Sequence, residues 1–347
     1  MGGESVREQT KVVNPRSRKG LLIQQDSTTS IPHQVVLWAT AASMLWGASY
    51  VAAKYSVGYI PPFTAASFRF AVVALCSLPL LWLTGKVQHI ERDDWPDLIT
   101  VGLFQTSFYF ALQYAGIKLT TASNTSVIVN VRPVFAAVLS AFVLHETLSG
   151  RKLAGVLTAF VGVIILSTGG TLRSFSLQSS HFLGDLLILF NAISGAIGLV
   201  VNKRVLARFR PFPAMVYTQT IGAIGLVPFA ALEISRLGAF PRAPALPWIM
   251  LAFQGLFSTI LAHILWNRAL ASLEASRASV FIYIAPLTTS VLSWLLLHEP
   301  LGLPFLIGAL LVLIGAYLTT SAANGNQIAK RSEPLSLIHI SEPTRPY

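Results

Sequence analysis

Ten apolar runs, each close to the length of a membrane-crossing helix, constrain this chain more than any other feature. They lie at about 34–56, 62–84, 96–117, 122–144, 153–169, 183–203, 212–234, 247–270, 277–297 and 303–321. A helix needs ~20 predominantly apolar residues to cross the hydrocarbon core of a bilayer. No water is available there, so each crossing segment must satisfy its own backbone hydrogen bonds, which a helix does. Charged residues make up only 11% of the chain, against roughly 25% in a soluble domain. The expected fold class is therefore an all-α integral membrane protein of about ten transmembrane helices.

The net charge of +11 does not point to nucleic acid, because the basic residues sit in short segments between the runs. With the N-terminus inside, the inner loops hold Lys86, Arg92, Arg151, Lys152, Lys203, Arg204, Arg208, Arg210, Arg268 and Arg277. The two tails add Lys330, Arg331, Arg7, Lys11, Arg16, Arg18 and Lys19. The outer loops hold only Lys54, Lys118, Arg173, Arg236 and Arg242. This is the positive-inside bias, and it calls for an even helix count with both termini cytoplasmic. Residues 1–31 read as a disordered cytoplasmic tail with no signal-peptide core, and 322–334 as a second tail. Cys76 is the sole cysteine, so no intrachain disulfide can form, and no metal-ligand spacing occurs. No GxxxxGK[ST] is present, which excludes nucleotide-driven pumping within the chain. The stretch Leu335–Arg345 matches the translation of a common transposase sequencing adapter, so 335–347 is expected to be an artefact.

A shift of 153 residues aligns the two halves without a gap. Pro133 meets Pro286, Val138-Leu139-Ser140 meets Val291-Leu292-Ser293, and Leu144-His145-Glu146 meets Leu297-His298-Glu299. Gly155 and Gly162 meet Gly308 and Gly315, and about 16 of the 49 positions from 120 to 168 are identical to their partners. Each half, 34–169 and 183–321, carries five runs. An odd number makes the second half enter the membrane from the opposite side, giving inverted-topology repeats, a common architecture of secondary transporters.

On these residues the chain resembles the EamA-type carriers of the drug/metabolite transporter superfamily. The resemblance covers roughly 34–321 and rests on Trp46-Gly47 with Lys54, on Arg69-Phe70, and on the repeated Pro to His-Glu block followed by paired glycines. It implies a ten-helix carrier with a central cavity in the bacterial cytoplasmic membrane. It also implies that Arg69, at the family's helix-two arginine, holds helix ends together. Small multidrug relatives carry a glutamate in helix one. None stands between Val35 and Lys54, which argues against proton-coupled export of cationic drugs.

Candidate substrate-binding residues follow from polar and aromatic side chains inside the runs. Trp46 and Tyr50 lie one turn apart in the first. Gln105, Tyr109 and Gln113 lie at i, i+4, i+8 in the third, as do Thr259, His263 and Asn267 in the eighth, beside Trp266. The fourth run carries a stripe of Ser123, Ser126 and Asn130, and the ninth carries Ser276, Ser279, Tyr283, Ser290 and Ser293. Such stripes either line a shared watery cavity or let backbones pack closely. Pro133 and Pro286 free the carbonyls of Val129 and Ile282 and kink their helices. Glu146 and Glu299 stand at membrane ends, where they suit a turn-stabilising or gate role. The paired glycines read as packing surfaces. Arg132 has no acidic partner at its depth and points off the Asn130 stripe; an arginine there costs about 2.5–3.5 kcal/mol. It either bonds freed carbonyls or meets an anionic group of the substrate.

The expected function is a secondary carrier that exports small polar or amphipathic, amino-acid-like metabolites by alternating access. The alternative is an exchanger of organic anions or phosphorylated metabolites. A membrane-embedded enzyme would need convergent catalytic groups at one depth, and only the two end-of-helix His-Glu pairs come near; a channel is the other class weighed, but it does not call for inverted halves. The implied partners are a small-molecule substrate and the lipid bilayer, with no cofactor, no metal and no nucleic acid; a homodimer is compatible with the chain.

Overall fold

A computed structural model describes residues 33–144, 150–168, 180–270 and 281–332. The readings made above for 1–31, His145, Glu146, Arg173, Ser276, Arg277, Ser279 and 335–347 lie outside these residues. Among the described residues every regular element is helical. We number them α1 (His33–Ser56), α2 (Pro62–Leu83), α3 (95–119), α4 (122–144), α5 (Gly150–Thr168), α6 (Ser180–Arg208), α7 (Pro211–Leu237), α8 (Ala245–Leu270), α9 (Ile284–Leu297) and α10 (Leu303–Ser332). Six of the helices, α1, α2, α4, α6, α7 and α8, are long and apolar enough to cross a membrane. Shorter apolar stretches run over Leu153–Leu166, Ile284–Leu297 and Leu303–Leu318. α10 continues in helical form to Ser332, past the end of its apolar run.

The helix ends follow local chemistry. α2 and α7 open with Pro62 and Pro211 in the first turn, where the missing N–H costs nothing. α7 stops at Gly238, whose φ of 71° is the left-handed cap conformation. Thr121 caps α4 by accepting from the Asn124 N–H at 3.0 Å.

The exposed surface of the helices is apolar. Leu75, Trp82, Leu83, Ile224, Leu287, Leu303 and Leu310 each expose more than half of their area. In water that surface would be an aggregation liability, and in a bilayer it is what lipid requires. The interior is instead rich in small and hydroxyl side chains that bond carbonyls on neighbouring helices. Ser107 donates to Gly222 O (2.8 Å), Asn191 to Tyr109 O (2.6 Å), Ser258 to Leu45 O (2.8 Å) and Thr289 to Gly47 O (2.9 Å). Inside lipid the packing of small residues and such bonds replace the hydrophobic effect as the force between helices.

Most helix contacts between the halves come in matched pairs; α4 with α10 is an exception. α1 packs on α8 and α9, and α6 packs on α3 and α4; α8 packs on α2 and α3 on α7; α2 meets α7 and α5 meets α10. Under the 153-residue shift each of these contacts maps onto its partner or onto itself. The paired glycines lie in the α5–α10 contact, as packing surfaces should. A Cβ on Gly162 would meet Gly308 O at 2.7 Å, and one on Gly315 would meet Gly155 O at 2.5 Å.

Two features depart from regular α-helix. α3 contains a π-helical segment at Leu103–Ser107 and α8 one at Gln254–Leu261, overlapping under the repeat shift. α4 passes through a 3-10 turn at Val129–Val131 just before Pro133, and a turn at Tyr283 precedes Pro286. The prolines thus break their helices where the lost hydrogen bond falls.

Candidate functional site

The interior polar residues form one connected network. Arg69, on α2, is buried; it donates from Nη1 to Gln254 Oε1 (3.2 Å) and from Nη2 to Thr259 Oγ1 (2.9 Å) on α8. Tyr114 donates to the same Gln254 Oε1 at 2.8 Å. The Arg69 guanidinium also lies over the Phe110 ring at 4.8 Å, an arrangement that partly replaces lost water. Phe110 meets Tyr109 at 4.8 Å between centroids, and the Tyr109 ring faces the Arg132 guanidinium at 5.8 Å. Tyr50 hydrogen-bonds through its side chain with Tyr109 and sits in the fields of Arg132 and Arg69. On the α8 side, His263 Nδ1 donates to Thr259 O at 2.6 Å. The carbonyl can only accept, so Nδ1 carries the proton. Trp46 of α1 packs edge-on against His263 (5.7 Å) and against Trp266 (5.2 Å).

Five of the nine candidate residues therefore belong to this network: Trp46, Tyr50, Tyr109, Arg132 and His263. Gln105 lies within the π-helical segment of α3 and faces α6, as Tyr109 does against Gly195 one turn away. The Gln105 Cβ packs on Gly198 of α6, within 2.7 Å of where a Cβ there would stand. Asn130 turns back on its own helix and donates to Ser126 O at 2.7 Å. Asn267 and Tyr283 are partly buried on α8 and at the turn before α9.

The serine stripe takes the packing alternative. Ser123 and Ser293 are buried against each other with oxygens 2.5 Å apart, joining α4 to α9. Ser126 and Ser290 bond Ser123 O and Pro286 O within their own helices. Arg69 stands in the eighth position of α2, amid neutral acceptors rather than at a helix end. Gln254 and Tyr114 were not legible as its partners, because neither falls on a periodic polar face.

Ionised side chains fasten the ends of the helices. Glu299 accepts from the N–H of Ala122 (2.8 Å) and Ser123 (3.1 Å) and from Ser123 Oγ (2.9 Å). It thus caps α4 from across the molecule, instead of stabilising only its own hairpin. Lys54 donates to Ile117 O (2.9 Å) and Thr120 O (2.5 Å) at the C-terminal end of α3, and Asp185 accepts from Thr120 Oγ1 at 2.5 Å. Three charges, from α1, α6 and the loop after α9, thus converge on the turn between α3 and α4. Glu233 caps α2 through the Thr64 N–H at 2.7 Å. At the opposite ends of the helices, Arg208 donates to Asp94 Oδ1 at 2.7 Å. This bond, aided by the Glu91 N–H, holds the Asp94 carboxyl below the usual carboxylate range.

The EamA-like transporter family model matches residues 33–168 and again 182–321. The chain belongs to the EamA-like transporter family. Its two matched segments are the two repeats of that family. An uncharacterized transporter of Archaeoglobus fulgidus is 30% identical over 273 residues, covering 79% of this chain and 94% of that one. The uncharacterized transporter YyaM of Bacillus subtilis is 29% identical over 280 residues, covering 80% and 90%. A probable amino-acid metabolite efflux pump of Salmonella typhimurium is 27% identical over 285 residues, covering 79% and 91%. A solved crystal structure shares the fold of this EamA-like transporter, with a TM-score of 0.56 at 19% identity over 85% of this chain and 99% of that one. The protein is accordingly a multi-pass integral membrane transporter.

Proposed function

We propose that this EamA-like transporter is a secondary carrier of ten membrane helices in two halves of inverted topology. It works by alternating access and exports small polar or amphipathic, amino-acid-like metabolites. The observation that carries this reading is the interior network, which joins α1–α4 of the first half to α8 of the second through Trp46, His263, Thr259, Arg69, Phe110, Tyr109 and Arg132. A site shared by both halves changes its access when one half moves against the other. The matched contacts between the halves support the inverted arrangement. The likeness to an amino-acid metabolite efflux pump supports the substrate class.

The test is counterflow in reconstituted vesicles loaded in turn with the twenty standard amino acids. Saturable exchange of at least one is expected, and its absence for all of them overturns the substrate class. The basic loops motivate a cytoplasmic location for both termini. In a Cys76→Ser background, Arg236→Cys should react with an impermeant thiol reagent outside intact cells and Lys86→Cys should not. The reverse pattern overturns the orientation.

A further inference from the structure

The two arginines of the interior are satisfied very differently. Arg69 spends both terminal nitrogens on Gln254 and Thr259 and has aromatic rings on two sides. Among the described residues the Arg132 guanidinium takes part in no hydrogen bond and no ion pair; the Nε is buried without a partner in both arginines, so the terminal nitrogens make the difference. Its one close contact of note is the Tyr109 ring. Such a charge inside a membrane-spanning helix costs about 2.5–3.5 kcal/mol, and among the described residues no acceptor is bonded to it.

The second half carries no cation at the matching position: under the 153-residue shift Arg132 falls on Ala285. Gly195 of α6 lies against the Arg132 side chain and Gly47 of α1 against the Ala285 backbone; an added Cβ would stand 2.7 Å from Arg132 Cδ and 2.5 Å from Ala285 O. Each position thus faces a glycine on the first helix of the opposite half, one through its side chain and the other through its backbone. Tyr109 falls on Ala262 and Tyr50 on Lys203, so the aromatic partners of Arg132 are also peculiar to the first half.

We infer that Arg132, with Tyr109 and its hydrogen-bond partner Tyr50 beside it, is the subsite that holds the substrate's carboxylate. The transported class is then a carboxylic acid with an apolar or aromatic body, an amino acid being the simplest member. This rests on the export reading above and adds to it the group that is recognised. A planar guanidinium binds a carboxylate through two parallel N–H···O bonds, which supplies both acceptors that Arg132 lacks.

The experiment uses the purified wild-type chain and the amino acid with the fastest counterflow, together with its decarboxylated amine and its deaminated acid. Phenylglyoxal modification of Arg132 is followed by peptide mass spectrometry. The amino acid and the deaminated acid should slow it, and the amine should not. In counterflow the amine should compete about tenfold or more weakly than the parent, the scale of one charged bond lost. Arg132→Ala, which copies the second half, should lose the preference for carboxylates, while Arg132→Lys should keep part of it. Equal protection by all three compounds, or by none while counterflow proceeds, overturns the inference and leaves the export reading standing. Protection by inorganic phosphate or phosphatidylglycerol vesicles, but not by the acids, also overturns it. Failure of counterflow for all twenty amino acids overturns the amino-acid substrate class of the export reading itself. A monodisperse Arg132→Ala protein with wild-type preference sinks the subsite without touching that reading.

Discussion

Arg69 and Arg132 are the same residue type in the same polar network, yet one is bonded and the other is not. Removing Arg69 strips a donor from Gln254 and Thr259 and leaves the Phe70 and Phe110 faces uncovered. Arg69→Ala is therefore expected to destabilise the folded protein by about 2–4 kcal/mol. Arg132→Ala breaks no hydrogen bond and should stay within about 1 kcal/mol of wild type. Melting of both variants in detergent checks the order, and equal losses would contradict it. At the surface, Asp94 gives a pH prediction. Its carboxyl is held below the usual range by Arg208, so its bond stabilises the protein above that range. The contribution is lost as pH falls through the depressed folded value. Wild type should melt above Asp94→Asn at neutral pH, and the gap should close on strong acidification. A gap that persists at low pH would assign the difference to packing.

Among the elements, α3 and α8 each carry a π-helical segment, and on α3 Gln105 and Tyr109 pack against two glycines of α6 one turn apart, Gly198 and Gly195. α4 gains its N-terminal cap from Glu299, which lies 177 residues away in the chain. Two free N–H groups of a helix end inside a membrane protein need an acceptor, and a carboxylate also suits the positive end of the helix dipole. Glu299→Gln should therefore lower stability by about 1–2 kcal/mol. It should also speed hydrogen exchange at Ala122 and Ser123 relative to the middle of α4. Unchanged exchange there would mean that the cap does not hold the helix end.

The whole molecule is organised by the matched contacts of its halves. Ser123 on α4 and Ser293 on α9 meet at the capped end, their oxygens 2.5 Å apart. Alternating access requires the two halves to separate at one end while closing at the other. In a Cys76→Ser background, the pair Ser123→Cys and Ser293→Cys should form a disulfide under mild oxidation. Counterflow should stop when it forms and return on reduction. Full counterflow in the crosslinked protein would place the moving interface elsewhere.

Ten apolar runs, a 153-residue repeat and the Pro to His-Glu blocks are written in the chain itself. They determined a helical membrane protein and its family, because bilayer thickness and backbone satisfaction leave a long apolar run few alternatives. Trp46, Tyr50, Tyr109, Arg132 and His263 could be picked out for the same reason: polar and aromatic groups stand out against an apolar background. Which of them meet was decided only in three dimensions. The Arg69–Gln254–Tyr114 cluster joins residues far apart in sequence and off any periodic face. Gln105 was packed against Gly198 of α6, and the serine stripe was closed into a contact between α4 and α9. Periodicity fixes the face a residue occupies on its own helix. The packing of neighbouring helices fixes what that face touches.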